Sequence, residues 1–280
     1  RRSAVDYIAA LEPEALYHLA ACAREGASWF QPAHVTQTNM AAYVNTLTGC
    51  LKYKGFKRVV LFSSMAVYGD QQPPFDEDAP TKPVDPYGLN KAAMEEMTKM
   101  LCKCHGISYV IIRPNNVFGP GQSLRDKYRN VLAIWCNCIM RGEEAWIFGD
   151  GEQTRAFSYI GEALPAYLRC LERGDNRTFN IGGLLPITIN EAWRLMSAAM
   201  GAPNHPVRHV PARYGEVKAA FCSQSRAVEE LCHWAIGFER GILEMAKYAR
   251  RMGPQEWVTD TLELRNERLP EEWHEKPDTK

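Results

Sequence analysis

Three residue types at one spacing carry the sharpest chemistry in this 280-residue sequence. Ser64 ends an apolar run, and Tyr87-Gly88-Leu89-Asn90-Lys91 opens a helical one. Residues four apart share a helix face, so the Tyr87 phenol and the Lys91 ammonium can point together. A free phenol ionises near pH ~10, too high for a base at neutral pH, and a nearby cation lowers that value at about 1.4 kcal/mol per unit. A serine hydroxyl beside both can share a proton with a substrate hydroxyl. Together the three can take a proton from an alcohol while a cofactor accepts hydride. The Y-x-x-x-K spacing alone is weak, since twelve tyrosines and twelve lysines give about half a match by chance in this length. Tyr53-Lys54-Gly55-Phe56-Lys57 is such a match, but Gly55 interrupts any helix there, and the pair reads as solvated surface. Tyr87 differs because Pro86 marks a helix start and a serine-ended strand precedes it.

Those side chains must be positioned by strands and helices, and the first half of the chain alternates the two. Residues 15–21 and 58–64 are short, nearly all-apolar runs, as expected of strands buried on both faces. Residues 36–54 read as a helix stopped by Gly55, and 87–105 as a longer one ended by Gly106. A third strand is predicted over 107–112. This alternation implies an α/β fold with a doubly wound parallel sheet. After Pro114 helices are expected at 130–141, 162–173, 190–200, 225–232 and 240–252, with strands at 145–148 and 179–181. That is the pattern of a smaller α+β region packed on the first. The tail after Gly253 is rich in charge and Trp and has no clear period. Ligands of open α/β sheets bind beyond the carboxyl ends of the strands. There stand His18-Leu19-Ala20-Ala21, Ser63-Ser64-Met65-Ala66 and Arg113-Pro114-Asn115-Asn116.

Composition narrows the class further. Hydrophobic residues make up 46% and charged ones 24%, which suits a soluble globular chain and excludes a disordered or fibrous one. Thirty-three basic residues balance thirty-three acidic ones, which argues against nucleic acid or an anionic membrane as main partner. No apolar run approaches the ~18 residues of a membrane span. The nine cysteines are odd in number, and Cys102/Cys104 and Cys136/Cys138 have C-x-C rather than zinc-site spacing. Reduced thiols in a cytoplasmic compartment and no metal are expected. Arg1-Arg2-Ser3 shows neither an initiator Met nor a signal-peptide core, so the sequence reads as processed or as part of a longer product.

From about residue 5 to about 250 the sequence resembles the extended short-chain dehydrogenase/reductases, and among them the NAD-dependent, UDP-glucose 4-epimerase-like nucleotide-sugar epimerases and dehydratases. The carriers are His18-Leu19-Ala20-Ala21, Ser63-Ser64-Met65-Ala66-Val67-Tyr68-Gly69, Pro86-Tyr87-Gly88-Leu89-Asn90-Lys91 and Arg113 to Gly121. Phe148 to Arg155, Phe179-Asn180-Ile181-Gly182-Gly183 and Arg213-Tyr214-Gly215-Glu216-Val217 follow in the right order. The resemblance implies a Rossmann-like NAD-binding part over 1–120 and a mainly substrate-binding part over 121–280, with 157–183 returning to the first. It makes Tyr87 the base, Lys91 the residue that holds the nicotinamide ribose and lowers the phenol, and Ser64 the proton-sharing hydroxyl. Leu19, Ala20, Asn39, Ser63 and Pro114 fall with Tyr87 and Lys91 at the NAD site. Ser64, Met65, Ala66, Asn116 and Asn130 fall on the substrate side, and Phe148 where the nucleobase is contacted. Arg155 matches an arginine on the diphosphate, and Arg213 with Glu216 a pair holding phosphate and ribose; a guanidinium suits a diphosphate and a carboxylate suits vicinal hydroxyls.

The residues after Ser64 sort the reaction. Family dehydratases and decarboxylases carry an acidic residue there, whereas this chain has Met65-Ala66. Epimerisation at C4 of a nucleotide-diphosphate hexose, through a 4-keto sugar and with NAD recycled, needs no such group. Ala220 stands where the family gates the sugar pocket and is small enough to admit an N-acetyl group, unless Phe221 fills the space. Two departures are clear. Ala156 replaces the usual Asp after Arg155, and no Gly-rich strand-turn-helix cradles a pyrophosphate. A missing N-terminal βαβαβ half of about 50–70 residues is the simplest account. A fragment, a separate chain supplying that half, and a non-catalytic structural or binding subunit are the three explanations. Pairing through helices 36–54 and 87–105 would make a homodimer.

Overall fold

The computed structural model describes residues 3–235, 237–258 and 262–274. Helix α1 (Ala4–Ala9), capped by the Ser3 hydroxyl, leads to strand β1 (Ala15–His18). Helix α2 (Pro32–Thr36) passes through one wide turn, Gln37–Ala41, into α3 (Ala42–Leu51), and β2 (Arg58–Phe62) follows. The long helix α4 (Pro86–His105) leads to β3 (Ser108–Pro114) and β4 (Val117–Phe118). Then come α5 (Val131–Arg141), β5 (Ala145–Phe148), β6 (Thr154–Ala156), β7 (Ser158–Tyr159), α6 (Ile160–Arg169) and β8 (Arg177–Ile181). After them stand β9 (Pro186–Thr188), α7 (Ile189–Ala199), β10 (Val207–Val210), β11 (Ala219–Ala220), α8 (Ser225–Leu231) and α9 (Phe238–Met252).

The apolar runs pair as a parallel sheet in the order β1-β2-β3-β8, with Val60 opposite both Tyr17 and Val110. Its two faces follow the period-2 alternation of strand side chains. Val59, Leu61 and Ile111 pack under α3 and α4 against Tyr43, Leu47, Met94 and Cys102. Val60, Val110, Ile112 and Phe179 face the other way, under Ala163 and Tyr167 of α6 and Leu231 of α8. Burial on both faces is why these strands read as unbroken apolar runs. The second core lies where α5, α7 and α9 bring Trp135, Met196 and Met245 together, flanked by the β5–β10 pair and the small β6–β9–β11 sheet.

Helix α4 starts and stops where its sequence directs. The Asp85 carboxylate accepts the Gly88 N–H at 2.8 Å, Pro86 fills the first turn, and Gly106 ends the helix at φ 67°. Its first turn is pressed against the Ser64 loop so closely that a Cβ at Gly88 would lie 2.7 Å from the Ala66 carbonyl oxygen. The strand expected over 15–21 ends at His18, which leaves Leu19-Ala20-Ala21 as loop beyond the sheet. The helix expected over 36–54 stops at Leu51, and the one over 162–173 runs from Ile160 to Arg169. No helix among the described residues is long and apolar enough to cross a membrane.

Candidate active site

Ser64 is the second residue beyond β2, and its hydroxyl accepts the Ala66 N–H at 3.1 Å, capping the turn Met65–Tyr68. Gly88 lets α4 abut that turn, which brings Tyr87 beside Ser64. One helical turn on, the Lys91 ammonium lies 5.8 Å from the Tyr87 ring centre and donates to the Phe62 carbonyl at 2.7 Å. Another turn on, buried Glu95 accepts from Ser63 Oγ at 2.5 Å and from Arg113 at 3.0 and 2.6 Å. Arg113 also donates to Tyr68 Oη at 2.8 Å, and that hydroxyl donates to Asn180 at 2.8 Å. The network ties β2, α4, β3 and β8 together behind the reacting side chains. A fully paired buried ion pair of this kind specifies geometry more than it adds stability.

Burial pushes the Tyr87 phenol up to about 12; Ser64 and Arg129 pull it down, while Glu25 and Asp85 raise it. Burial likewise takes Lys91 down to about 8, against the attraction of Glu95. Desolvation is the largest influence on the phenol, and the Lys91 ammonium is turned to the Phe62 carbonyl.

In front of this corner opens a cavity of about 280 Å³. Ser64, Met65, Tyr87, Pro114, Asn116, Asn130, Phe148, Arg155, Arg213 and Glu216 all line it. Asn116 and Asn130 have positive φ, 30° and 35°, a backbone state that asparagine tolerates best among residues with a Cβ and that recurs at functional sites. Their amides donate to the Ala156 carbonyl at 3.2 Å and the Val117 carbonyl at 2.7 Å. Glu216 accepts from Arg155 at 2.8 Å and from Arg213 at 2.7 Å, and the Arg213 guanidinium lies 5.0 Å over the Phe148 ring. A smaller pocket of about 30 Å³ adjoins the cavity and shares Met65, Asn116 and Arg155 with it. Ala66 and Ala220 line that pocket, and the ring present there is Phe75 rather than Phe221.

Five expected residues line neither the cavity nor the adjoining pocket, among them Lys91, whose ammonium is buried against the Phe62 carbonyl. Asn39 is fully buried, and both its polar atoms are taken by the Cys22 backbone, at 2.7 and 3.2 Å, so it braces the loop after β1. Ser63 faces Glu95, as the alternation of neighbouring strand residues requires when Ser64 faces the cavity. Leu19 and Ala20 are exposed at the carboxyl end of β1.

Two carboxylates escaped the sequence reading. Asp85 signalled itself only as a helix cap before Pro86, yet it lines the cavity, and burial together with Glu25 pushes it up to about 7. Glu25 gave no pattern at all. It lines the cavity and is exposed within it, and desolvation raises its carboxyl against the pull of Arg155 and Arg213. Among the described residues no cluster of His, Cys, Asp and Glu could hold a metal ion.

A strand-end crevice lined by Ser64 and Tyr87, with Lys91 buried beside Tyr87 and the guanidinium groups of Arg155 and Arg213 in the same lining, defines the short-chain dehydrogenase/reductase class. The donors present suit the nicotinamide end of a dinucleotide: Lys91 offers a buried ammonium beside Tyr87, and Pro114 lines the same wall. Residues 1–182 match the NAD dependent epimerase/dehydratase family, and the chain belongs to it. A UDP-glucose 4-epimerase of Mycolicibacterium smegmatis is 29% identical over 248 residues, 87% of this chain and 78% of the relative. The UDP-glucose 4-epimerase of Thermotoga maritima, solved with UDP-glucose, superposes with a TM-score of 0.83 at 31% identity, covering 90% of this chain and 84% of its own. A UDP-N-acetylglucosamine 4-epimerase of Methanobrevibacter ruminantium, solved with UDP-N-acetylmuramic acid, gives 0.81 at 28%, covering 88% and 80%. The chain is thus a nucleotide-sugar epimerase/dehydratase family enzyme that uses NAD.

Proposed function

We propose that the protein interconverts nucleotide-diphosphate hexoses at C4. The observation that carries this reading is the reacting corner: Ser64, Tyr87 and Lys91 converge, and the two residues that follow Ser64, Met65 and Ala66, hold no acid or base. NAD supplies reversible hydride acceptance when bound. Tyr87 Oη takes the proton of the sugar 4-hydroxyl and later returns it, with Ser64 sharing it. Lys91 holds a positive charge beside the phenol and supports its ionised form. Arg155 and Arg213 grip the diphosphate, which lets the 4-keto sugar turn over without leaving. Glu25 and Asp85 line the small pocket with Ala220, and a uronate there would meet two carboxyl groups whose ionisation it opposes, which favours a neutral hexose.

The test is turnover of UDP-glucose, UDP-N-acetylglucosamine and UDP-glucuronate with added NAD in heavy water. Inversion at C4 with no solvent deuterium in the product supports the reading. A 4-keto-6-deoxy product or release of carbon dioxide would overturn it. Bound nucleotide sugar with no turnover would favour a binding subunit. Ala220 supports tolerance of an N-acetyl group, so Ala220→Tyr should lower UDP-N-acetylglucosamine turnover about tenfold or more relative to UDP-glucose; an unchanged ratio would remove Ala220 from the argument. The exposed Leu89 and Met100 of α4 support the homodimer, which light scattering can check.

A further inference from the structure

Among the described residues, four cations line the cavity: Lys127, Arg129, Arg155 and Arg213. Three of them are engaged. Arg155 and Arg213 share Glu216 at 2.8 and 2.7 Å, and the Lys127 ammonium donates to the His274 carbonyl at 3.1 Å. Arg129 is exposed and has neither a hydrogen bond nor an ion pair among the described residues. The segment that carries it is nevertheless held. Asp126 accepts Arg24 Nε at 2.9 Å and the Tyr128 N–H at 3.0 Å, and the Arg24 guanidinium lies 5.1 Å over the Tyr128 ring. The Asn130 amide donates to the Val117 carbonyl at 2.7 Å, and its oxygen accepts the Leu132 N–H at 3.3 Å. With its neighbours tied down on both sides, Arg129 is the side chain that this segment leaves free in the cavity.

Charged groups reach the Tyr87 phenol from three places. Glu25 comes from the loop after β1, Asp85 and Lys91 from the start of α4, and Arg129 from the segment before α5; the turn after β2 adds only the Ser64 hydroxyl. Glu25 and Asp85 raise the phenol, and Arg129 pulls it down. Arg129 also lowers the Lys91 ammonium, as one positive charge does to another. Burial has already brought Lys91 to about 8, so its charge fades above that pH, and its Nζ is spent on the Phe62 carbonyl. A guanidinium stays charged throughout the range in which a phenol ionises.

We propose that Arg129 assists the reaction: its guanidinium, left free by the pinned segment 126–130, shares the cavity with the Tyr87 oxygen and stabilises the ionised phenol that accepts the sugar 4-hydroxyl proton. The inference rests on the C4 reading and adds to it a second cation beside the base. Arg129→Gln removes the charge from a side chain that holds nothing, so folding is preserved; a thermal melt checks this. With UDP-glucose and added NAD, the full chain carrying Arg129→Gln should lose about tenfold in kcat at neutral pH with little change in KM, and Arg129→Lys should recover most of that loss. Ultraviolet absorbance of tyrosinate, taken as the difference from Tyr87→Phe, should show Tyr87 beginning to ionise about one pH unit higher in Arg129→Gln than in wild type. A raised KM at unchanged kcat would make Arg129 a grip on the diphosphate and overturn the proposal, as would an unmoved Tyr87 titration. If the wild type turns over no nucleotide sugar, the absorbance still decides the role of Arg129, and the C4 reading alone falls.

Discussion

The reacting corner and the nucleotide end of the same cavity are built by opposite means. Ser64, Tyr87 and Lys91 come from one strand end and the first turns of one helix, and hydrogen-bonded main chain fixes them. Phe148, Arg155, Arg213, Glu216 and Trp273 come from separate segments, joined by side-chain ion pairs and ring contacts. At the first end burial sets the proton affinities, raising Tyr87 and lowering Lys91. At the second, charges face one another, and a bound diphosphate would compete with Glu216 for two guanidinium groups. Positioning of reacting atoms demands rigidity, whereas gripping a long anion demands groups that can change partners.

The largest effect that would test this contrast is at the phenol. Tyr87→Phe keeps the ring in its apolar cluster with Cys22, Val35 and Ala66, and should lower kcat about 10³-fold with little change in substrate binding. Steady-state kinetics that showed mainly a raised KM would break the division of labour. At the other end, Arg155→Ala should weaken nucleotide-sugar binding by about ten- to a hundredfold and leave kcat less affected, read by calorimetry beside kinetics. A kcat loss as large as that of Tyr87→Phe would mean that the two ends are one unit.

The smallest effect lies where they meet. Asp85 has its carboxyl raised to about 7 from 3.8, so the stability it contributes is present below pH ~4 and is lost as pH rises to about 7. Asp85→Asn removes that dependence and can still cap α4. The variant should therefore gain on wild type in denaturant midpoint between pH ~4 and ~7, and parallel curves would show that Asp85 ionises normally.

What could be read in advance follows the same division. Helix α4 was legible because Pro86 and Gly106 are local signals, and Tyr87 with Lys91 lies on it at a fixed helical spacing. Strands β2 and β3 were legible because both of their faces are covered, while β8, with Arg177, Thr178 and Asn180, gave only a short signal at 179–181. That the Cys22 backbone holds both ends of the Asn39 amide could not be read from type and position. That Ser63 and Ser64 face opposite ways follows from strand alternation, and Ser63 Oγ donates to Glu95. Glu25 and Trp273 had no pattern to give: each reaches the cavity from a segment without period, through contacts far apart in the chain.

The Glu95–Arg113 network has a consequence for how the molecule opens. The Ser63 amide donates to the carbonyl of Ile112, the residue before Arg113 in β3, so freeing it means parting the central strands. Amide hydrogens of the reacting corner should exchange with solvent only through global unfolding, while those of the separate segments at the nucleotide end exchange through local excursions. Nucleotide would then slow exchange at those segments and leave the corner, already at the limit set by the whole fold, unchanged.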